Sequence, residues 1–113
     1  MAEWVIIEDE EMKREWLKWG NIADMWDEVI ERCEKVAEKL NLEFVEFSDA
    51  KTFYWGMYYY ERYYAYFKKK DSDSEVKVLV AEIVADSKVS EVIEIRTATE
   101  DYIEEQLKEI LES

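Results

Sequence analysis

The chain has 113 residues, 49% of them hydrophobic, which suffices for one domain with a modest core. Its 29 acidic residues against 15 basic ones leave a formal net charge of −14, and no segment is strongly basic. Phosphate backbones and anionic headgroups are bound by Lys and Arg that release counterions, so this balance argues against DNA, RNA and acidic lipid as partners.

Cys33 is the only cysteine and histidine is absent, which removes an internal disulfide, a cysteine zinc site and the usual general base. No catalytic, metal-binding or cofactor-binding residue is assigned. The apolar runs are a few residues long, far below the ~18 that a membrane-crossing helix needs. The expectation is one soluble, cytoplasmic α+β domain over 1–113. Asn21, Asn41 and Gln106 are the only side-chain amides, and abundant Glu and Lys with so few amides fits thermophile usage.

In chain order, Trp4–Ile7 is a short apolar run, read as a strand or an extended lead-in. From Asp9 the spacing turns helical, with Met12, Trp16 and Trp19 on one side. Acidic residues at 8–11 could meet a cation or a basic partner, but they also suit a helix N-terminus without further purpose. Gly20 either bends the chain or is a weak point, at ~1 kcal/mol, within one long helix, and Asn21 offers a cap with Asp24 behind it. Ile22, Trp26, Val29, Cys33, Val36 and Leu40 then repeat in four- and three-residue steps opposite a charged face, the mark of an amphipathic helix packed along its length.

After Asn41 the period changes. Residues 42–48 are rich in β-formers and end at the turn signal Ser48-Asp49. Residues 76–85 form a second strand, joined to the aromatic stretch before it by a hairpin over Asp71–Ser74. Val76, Val78, Val80 and Val84 share one of its faces, with Leu79, Ala81 and Ile83 on the other. Asp86-Ser87-Lys88 turns the chain, and 89–96 places Val89, Ile93 and Ile95 on one face. Thr97 and Glu100 have capping-box spacing, with Thr99 as an alternative cap, for a final helix over about 100–112. The order is an N-terminal helix, with Gly20 as the point where it could bend, an antiparallel meander of three to four strands, and a C-terminal helix, with the helices on one sheet face.

The aromatic stretch is FYWGMYYYERYYAYF, residues 53–67. Phe53, Met57, Tyr60, Tyr64 and Phe67 would fit a helix, but aromatic residues favour pleated surfaces and the strand reading is taken, with a bulge or bend near Gly56 or Glu61–Arg62. Phe53, Trp55, Met57, Tyr59, Glu61, Tyr63, Ala65 and Phe67 then face the core. Tyr54, Tyr58, Tyr60, Arg62, Tyr64 and Tyr66 form the other face, whose hydroxyls tolerate water. A base-stacking platform needs a positive groove, which Arg62 and Lys68–Lys70 do not make. Core and sheet surface is the plain reading; a partner surface is the sharper one, since Tyr and Arg are enriched at interfaces.

Other candidates each have a bland account. Asp71, Asp73, Glu75 and Glu82 match positions of a calcium loop, but Val76 stands where glycine is required. Glu61 and Glu82 interrupt hydrophobic faces and are functional carboxylates, exposed edge residues, or partners of Arg62 or Arg96. Cys33 lies on an apolar stripe, as a buried thiol would.

The order of elements, the small size, the acidity and the apolar terminal helices resemble type III secretion chaperone-like α+β proteins, although no helix falls between the strands here. The resemblance implies a dimeric binder of other polypeptides. The composition also resembles that of small proteins from hyperthermophilic archaea. The functional expectation is a non-enzymatic interaction or chaperone-like module, a homodimer through Tyr54, Tyr58, Tyr60, Arg62, Tyr64 and Tyr66, with a protein or peptide client possible. The alternative is a small-ligand-binding or carboxylate-based enzyme domain with a pocket between helix and sheet, near Trp26, Trp55 and Glu82.

Overall fold

The aromatic stretch folds as two strands of a hairpin rather than as one bent strand. In a computed structural model, which describes residues 3–19, 23–48, 52–89 and 91–112, the elements run β1 (Trp4–Ile7), α1 (Glu10–Trp19), α2 (Ala23–Lys39), β2 (Leu42–Ser48), β3 (Thr52–Trp55), β4 (Tyr58–Lys69), β5 (Glu75–Asp86), β6 (Glu91–Ala98) and α3 (Glu100–Glu112). The α+β class stands, but the sheet has six strands, not three or four. All pairings are antiparallel, in the order β1-β6-β5-β4-β2, with β3 also on β4.

The two extra strands come from places with little local signal. β1 pairs with β6, setting Trp4 opposite Ala98, so the lead-in is an edge strand. β2 takes the Tyr64–Lys69 half of one β4 edge and β3 takes Tyr58–Glu61, so the long strand is paired along both sides. The N-terminal helical region is two elements, α1 and α2. Gly20–Ile22 and Asp49, on which a bend, a cap and a turn were expected, lie outside the described residues.

Local chemistry explains the boundaries. Asp9 caps α1, its Oδ1 accepting from the amides of Glu11 at 2.9 Å and Met12 at 3.3 Å. Asn41 ends α2 in the left-handed region at φ 57°, a conformation Asn tolerates, and the chain leaves as β2. Thr99, not Thr97, caps α3: its Oγ1 accepts from Tyr102 N at 3.2 Å. Thr97 is buried inside β6, where its hydroxyl accepts from Arg32 Nη1 at 2.9 Å. The Asp71–Ser74 hairpin forms as expected, with Ser72 N donating to Lys69 O at 3.1 Å.

All three helices cover one sheet face. Trp26 of α2 lies 4.4 Å from the ring of Tyr63 and 5.3 Å from Phe47, Trp16 of α1 lies 6.1 Å from Tyr59, and Ile103 and Leu107 of α3 are fully buried. Tyr63, Ala65 and Phe67 of β4 face this layer together with Ala81, Val78 and Val76 of β5. The α2 stripe behaves as its period requires, with Val29 and Cys33 inaccessible, each such apolar side chain contributing about 1.5–3 kcal/mol. The acidic helices α2 and α3 are tied by Lys39–Glu104 at 2.6 Å and Lys35–Glu100 at 3.8 Å. Hydrogen bonds from Lys39 and Lys108 hold the Glu104 carboxyl below the usual carboxylate range.

Bulges break the simple alternation. The β4–β5 register steps between Tyr63 and Tyr64, leaving Val80 as the extra residue, and the β5–β6 register steps between Val84 and Ala85, leaving Ile93 extra. After Val80 the core side passes to Ala81, Ile83 and Ala85, so Val84 does not share a face with Val76 and Val78. In β6, Val92 and Ile95 are buried while Ile93 is exposed, and Val89 is exposed in the turn before the strand, which corrects the expected grouping.

The β3–β4 turn uses Gly56 at φ 65°, with nothing within 4 Å of where a Cβ would stand. Substitution there meets backbone strain, not crowding. Gly56→Ala is expected to destabilise the fold by about 1 kcal/mol in urea unfolding and Gly56→Asn by clearly less; equal costs for the two would show that left-handed strain is not what the position demands.

Candidate functional site

None of the described helices lies over the opposite face of the sheet except at the β1 edge, where the Tyr102 ring of α3 comes within 4.8 Å of the Trp4 ring. β4 places Tyr58, Tyr60, Arg62, Tyr64 and Tyr66 there, opposite Asp86, Val84, Glu82, Leu79 and Lys77 of β5. β6 adds Glu94 and Arg96, and β1 adds Trp4 and Ile6, by the same registers. The tyrosines are half-buried against one another and their neighbours.

Tyr54 does not belong to this face. The turn at Gly56 resets the alternation, so Tyr54 pairs with Tyr59 on the helix side, with ring centroids 5.9 Å apart, and remains exposed. By the same reset Trp55, expected in the core, pairs with Tyr58 on the open side and is 72% exposed.

The centre of the open face is an ion triad. Glu82 is only 3% exposed; its Oε2 accepts from Arg62 Nε at 2.6 Å and its Oε1 from Arg96 Nη2 at 2.5 Å. Strand registry builds it, since Arg62, Glu82 and Arg96 are direct cross-strand neighbours on β4, β5 and β6. The Glu82 hydrogen bond raises the Arg62 guanidinium further above its ordinary value, with burial acting the other way. Around the triad, Lys77 Nζ sits 4.8 Å over the Tyr64 ring and the Arg96 guanidinium 5.1 Å over Trp4. Arg96 Nε is buried with no hydrogen-bond partner among the described residues, and the Glu94 carboxylate approaches it only to 3.9 Å.

With both oxygens of Glu82 accepting from guanidinium groups, the arrangement resembles a strand-to-strand clamp more than a proton-transfer site. The sequence flagged Glu82 as a partner of Arg62 or Arg96; it bonds to both. Trp4, Lys77 and Trp55 were not read as part of this surface, because their placement depends on long-range pairing and on the turn reset.

The other candidates disperse. Glu61 faces the helix side and accepts from Tyr63 Oη at 2.9 Å and Thr52 Oγ1 at 3.3 Å. Trp26 packs in the helix layer while Glu82 and Trp55 are on the far face, so the three do not line one pocket. Glu82 lies mid-strand between two arginines, away from Asp71, Asp73 and Glu75 at the hairpin, so these four acids do not form a calcium loop. Among the described residues no cluster of three or more His, Cys, Asp or Glu is placed to hold a metal, and no helix is long and apolar enough to cross a membrane. Cys33 is buried, and desolvation pushes its thiol up to about 12.

No protein family, curated protein or solved structure matches this chain.

Two outcomes follow. Glu82→Leu, which leaves two guanidinium groups facing each other, is expected to cost about 2–4 kcal/mol, less than a wholly buried pair would because both arginines reach water. Adding Arg62→Met and Arg96→Met should recover most of it in denaturant titration; a triple variant worse than the single one would contradict the clamp. The Cys33 thiol should resist a disulfide reagent at pH 8 until the protein unfolds. Because its folded value lies above the ordinary 9.0, its linkage leaves stability flat below about pH 9 and lowers it from there toward about 12.

Proposed function

We propose that the protein is a non-catalytic, chaperone-like interaction module of the cytoplasm, and that it acts as a homodimer whose two copies meet through the open tyrosine face. The observation that carries this reading is a sheet face lined by Tyr58, Tyr60, Tyr64 and Tyr66 with no described helix over them. Tyrosine gives large, rigid contact area at low entropic cost and is enriched at interfaces.

Size and charge support the same arrangement. β4 and β5 have 12 residues each, about 40 Å at ~3.3 Å per residue, and five strands at ~4.8 Å spacing are about 19 Å across. That area is of the order of the ~800 Å² each partner contributes to a standard interface. The acid lies elsewhere: α2 holds six acidic against three basic residues and α3 six against one. Face-to-face sheets put both helix layers on the outside, separated by the ~10 Å between sheets and by the sheets themselves. That exceeds the ~8 Å screening length at physiological salt, whereas a dimer through the helices would press like charges together.

Sedimentation equilibrium tests the reading. The wild-type chain should run at twice its 13.7 kDa mass. Tyr58→Lys with Tyr64→Lys should return the monomer mass with an unchanged far-ultraviolet spectrum. A wild-type monomer at all concentrations, or a double variant that stays dimeric, would reject this surface as the dimer contact.

A further inference from the structure

A groove of about 520 Å³ runs between the C-terminal half of α2 and the start of β2. Its floor is Ala37, Leu42 and the half-buried Phe44, and its rim carries Glu34, Glu38, Glu43 and Lys70. Leu42, Glu43 and Phe44 all line it although successive strand residues point to opposite faces, so the groove follows the outer edge of β2. That edge has no strand partner among the described residues, because β2 ends the sheet order. Every second residue along it therefore turns its backbone N–H and C=O outward, ready to pair with another chain. Val45 is the extra residue of a bulge, which leaves Leu42–Phe44 as the pairable run.

The local charge favours a cation. Glu34 and Glu38 are exposed, one helical turn apart, and form no ion pair with a described residue. The lysines beside them on α2 are engaged elsewhere, Lys35 with Glu31 at 3.4 Å and Lys39 with Glu104 at 2.6 Å. Strand registry sets Lys68 between Glu43 and Glu75, and Asp71 and Asp73 follow Lys69 and Lys70 in the hairpin. The carboxylates of groove and hairpin thus outnumber Lys68, Lys69 and Lys70 two to one. The C-terminal end of α2 adds the negative pole of its dipole. A hollow of the same volume on α3 is lined wholly by charged residues, Asp101 to Glu112, and lacks such a floor.

We propose that this edge binds a short, extended segment of another polypeptide that carries lysine or arginine at alternate positions. Its backbone pairs with Leu42–Phe44. Its side chains on the helix side lay their alkyl stems over Leu42 and Phe44 and bring their charged ends to Glu34 and Glu38. A second copy of this chain is a poor occupant, since β2 against β2 would bring Glu43 and Glu46 towards their twins. The groove lies on the helix side and at one edge, apart from the tyrosine face, so it stands or falls separately from the dimer.

Titration of the isotope-labelled full chain with the blocked peptide acetyl-Lys-Thr-Lys-Thr-Lys-amide, followed by amide chemical shifts, tests it. Amides of residues 34–38 and 42–46 should shift saturably, with Kd on the order of 1 mM for so small a contact. Of two versions N-methylated on alternate residues, one should lose binding and the other keep it, because a strand presents every second N–H to its neighbour. Glu34→Lys with Glu38→Lys should weaken binding at least tenfold; both side chains are exposed, and the rest of the spectrum verifies the fold. Absence of saturable shifts, shifts centred on α3, or N-methylated versions that behave alike would each overturn the assignment. So would equal binding of spermidine or of the glutamate analogue of the peptide, or an unaffected double variant.

Discussion

The phase of β4 governs both faces of the sheet, and Tyr63 sets it. The Tyr63 ring lies 4.4 Å from Trp26 and stacks on Phe47 at 5.7 Å with planes 3° apart, while its hydroxyl donates to Glu61. With Tyr63, Ala65 and Phe67 committed to the helix layer, the two-residue period sends Arg62, Tyr64 and Tyr66 to the other side. A slip of one residue would place Arg62 under Trp26 without its carboxylate, and an unpaired buried guanidinium is too costly for that register to compete. The core contact on one side thus determines which aromatics the other side presents.

The triad reinforces this register from the open face. Arg62, Glu82 and Arg96 can meet only if β4, β5 and β6 are aligned as they are, since any shift removes Glu82 from between its partners. Such an ion triad adds little net stability relative to apolar residues of the same size, because desolvation offsets the attraction. Its value here is selective. The face around it is otherwise tyrosine and aliphatic, chemistry that tolerates several strand alignments, and a charged centre penalises the wrong ones.

What the sequence disclosed followed how local each determinant is. The α2 stripe was legible because every third or fourth residue meets the same packed surface, and the hairpin at Asp71–Ser74 because its turn residues are polar and contiguous. The pairing of Trp4 with Ala98 carries no local signal, since the two are brought together only by the completed sheet. Near Gly56 the sequence suggests only a bulge or bend, because no polar cluster marks the turn; aromatic residues continue on both sides of it. That single difference put Tyr54 and Trp55 on the wrong faces, as the bulge residue Val80 did for Val84; Ile93 is itself the extra residue of its bulge, and Val89 lies in the turn before β6. The tyrosines after the turn were assigned correctly because Tyr58–Tyr66 is one uninterrupted strand.

The distribution of charge follows from the same architecture. Helices that bury one stripe leave the remaining positions for solvated groups, and most of the excess acid is carried there, eased between α2 and α3 by Lys39 and Glu104. The open sheet face cannot take that load, because unpaired like charges across neighbouring strands repel. Its central charges are therefore matched within the face, as in Glu82 with Arg62 and Arg96, or laid over rings, as in Lys77 on Tyr64. A surface whose central charges are already paired can be dried at lower cost than one with free ions, since little hydration is left to remove. The tyrosine face thus combines a large apolar contact area with a charge pattern that withstands desolvation, while the acidic helix layer keeps the opposite side of the molecule in water.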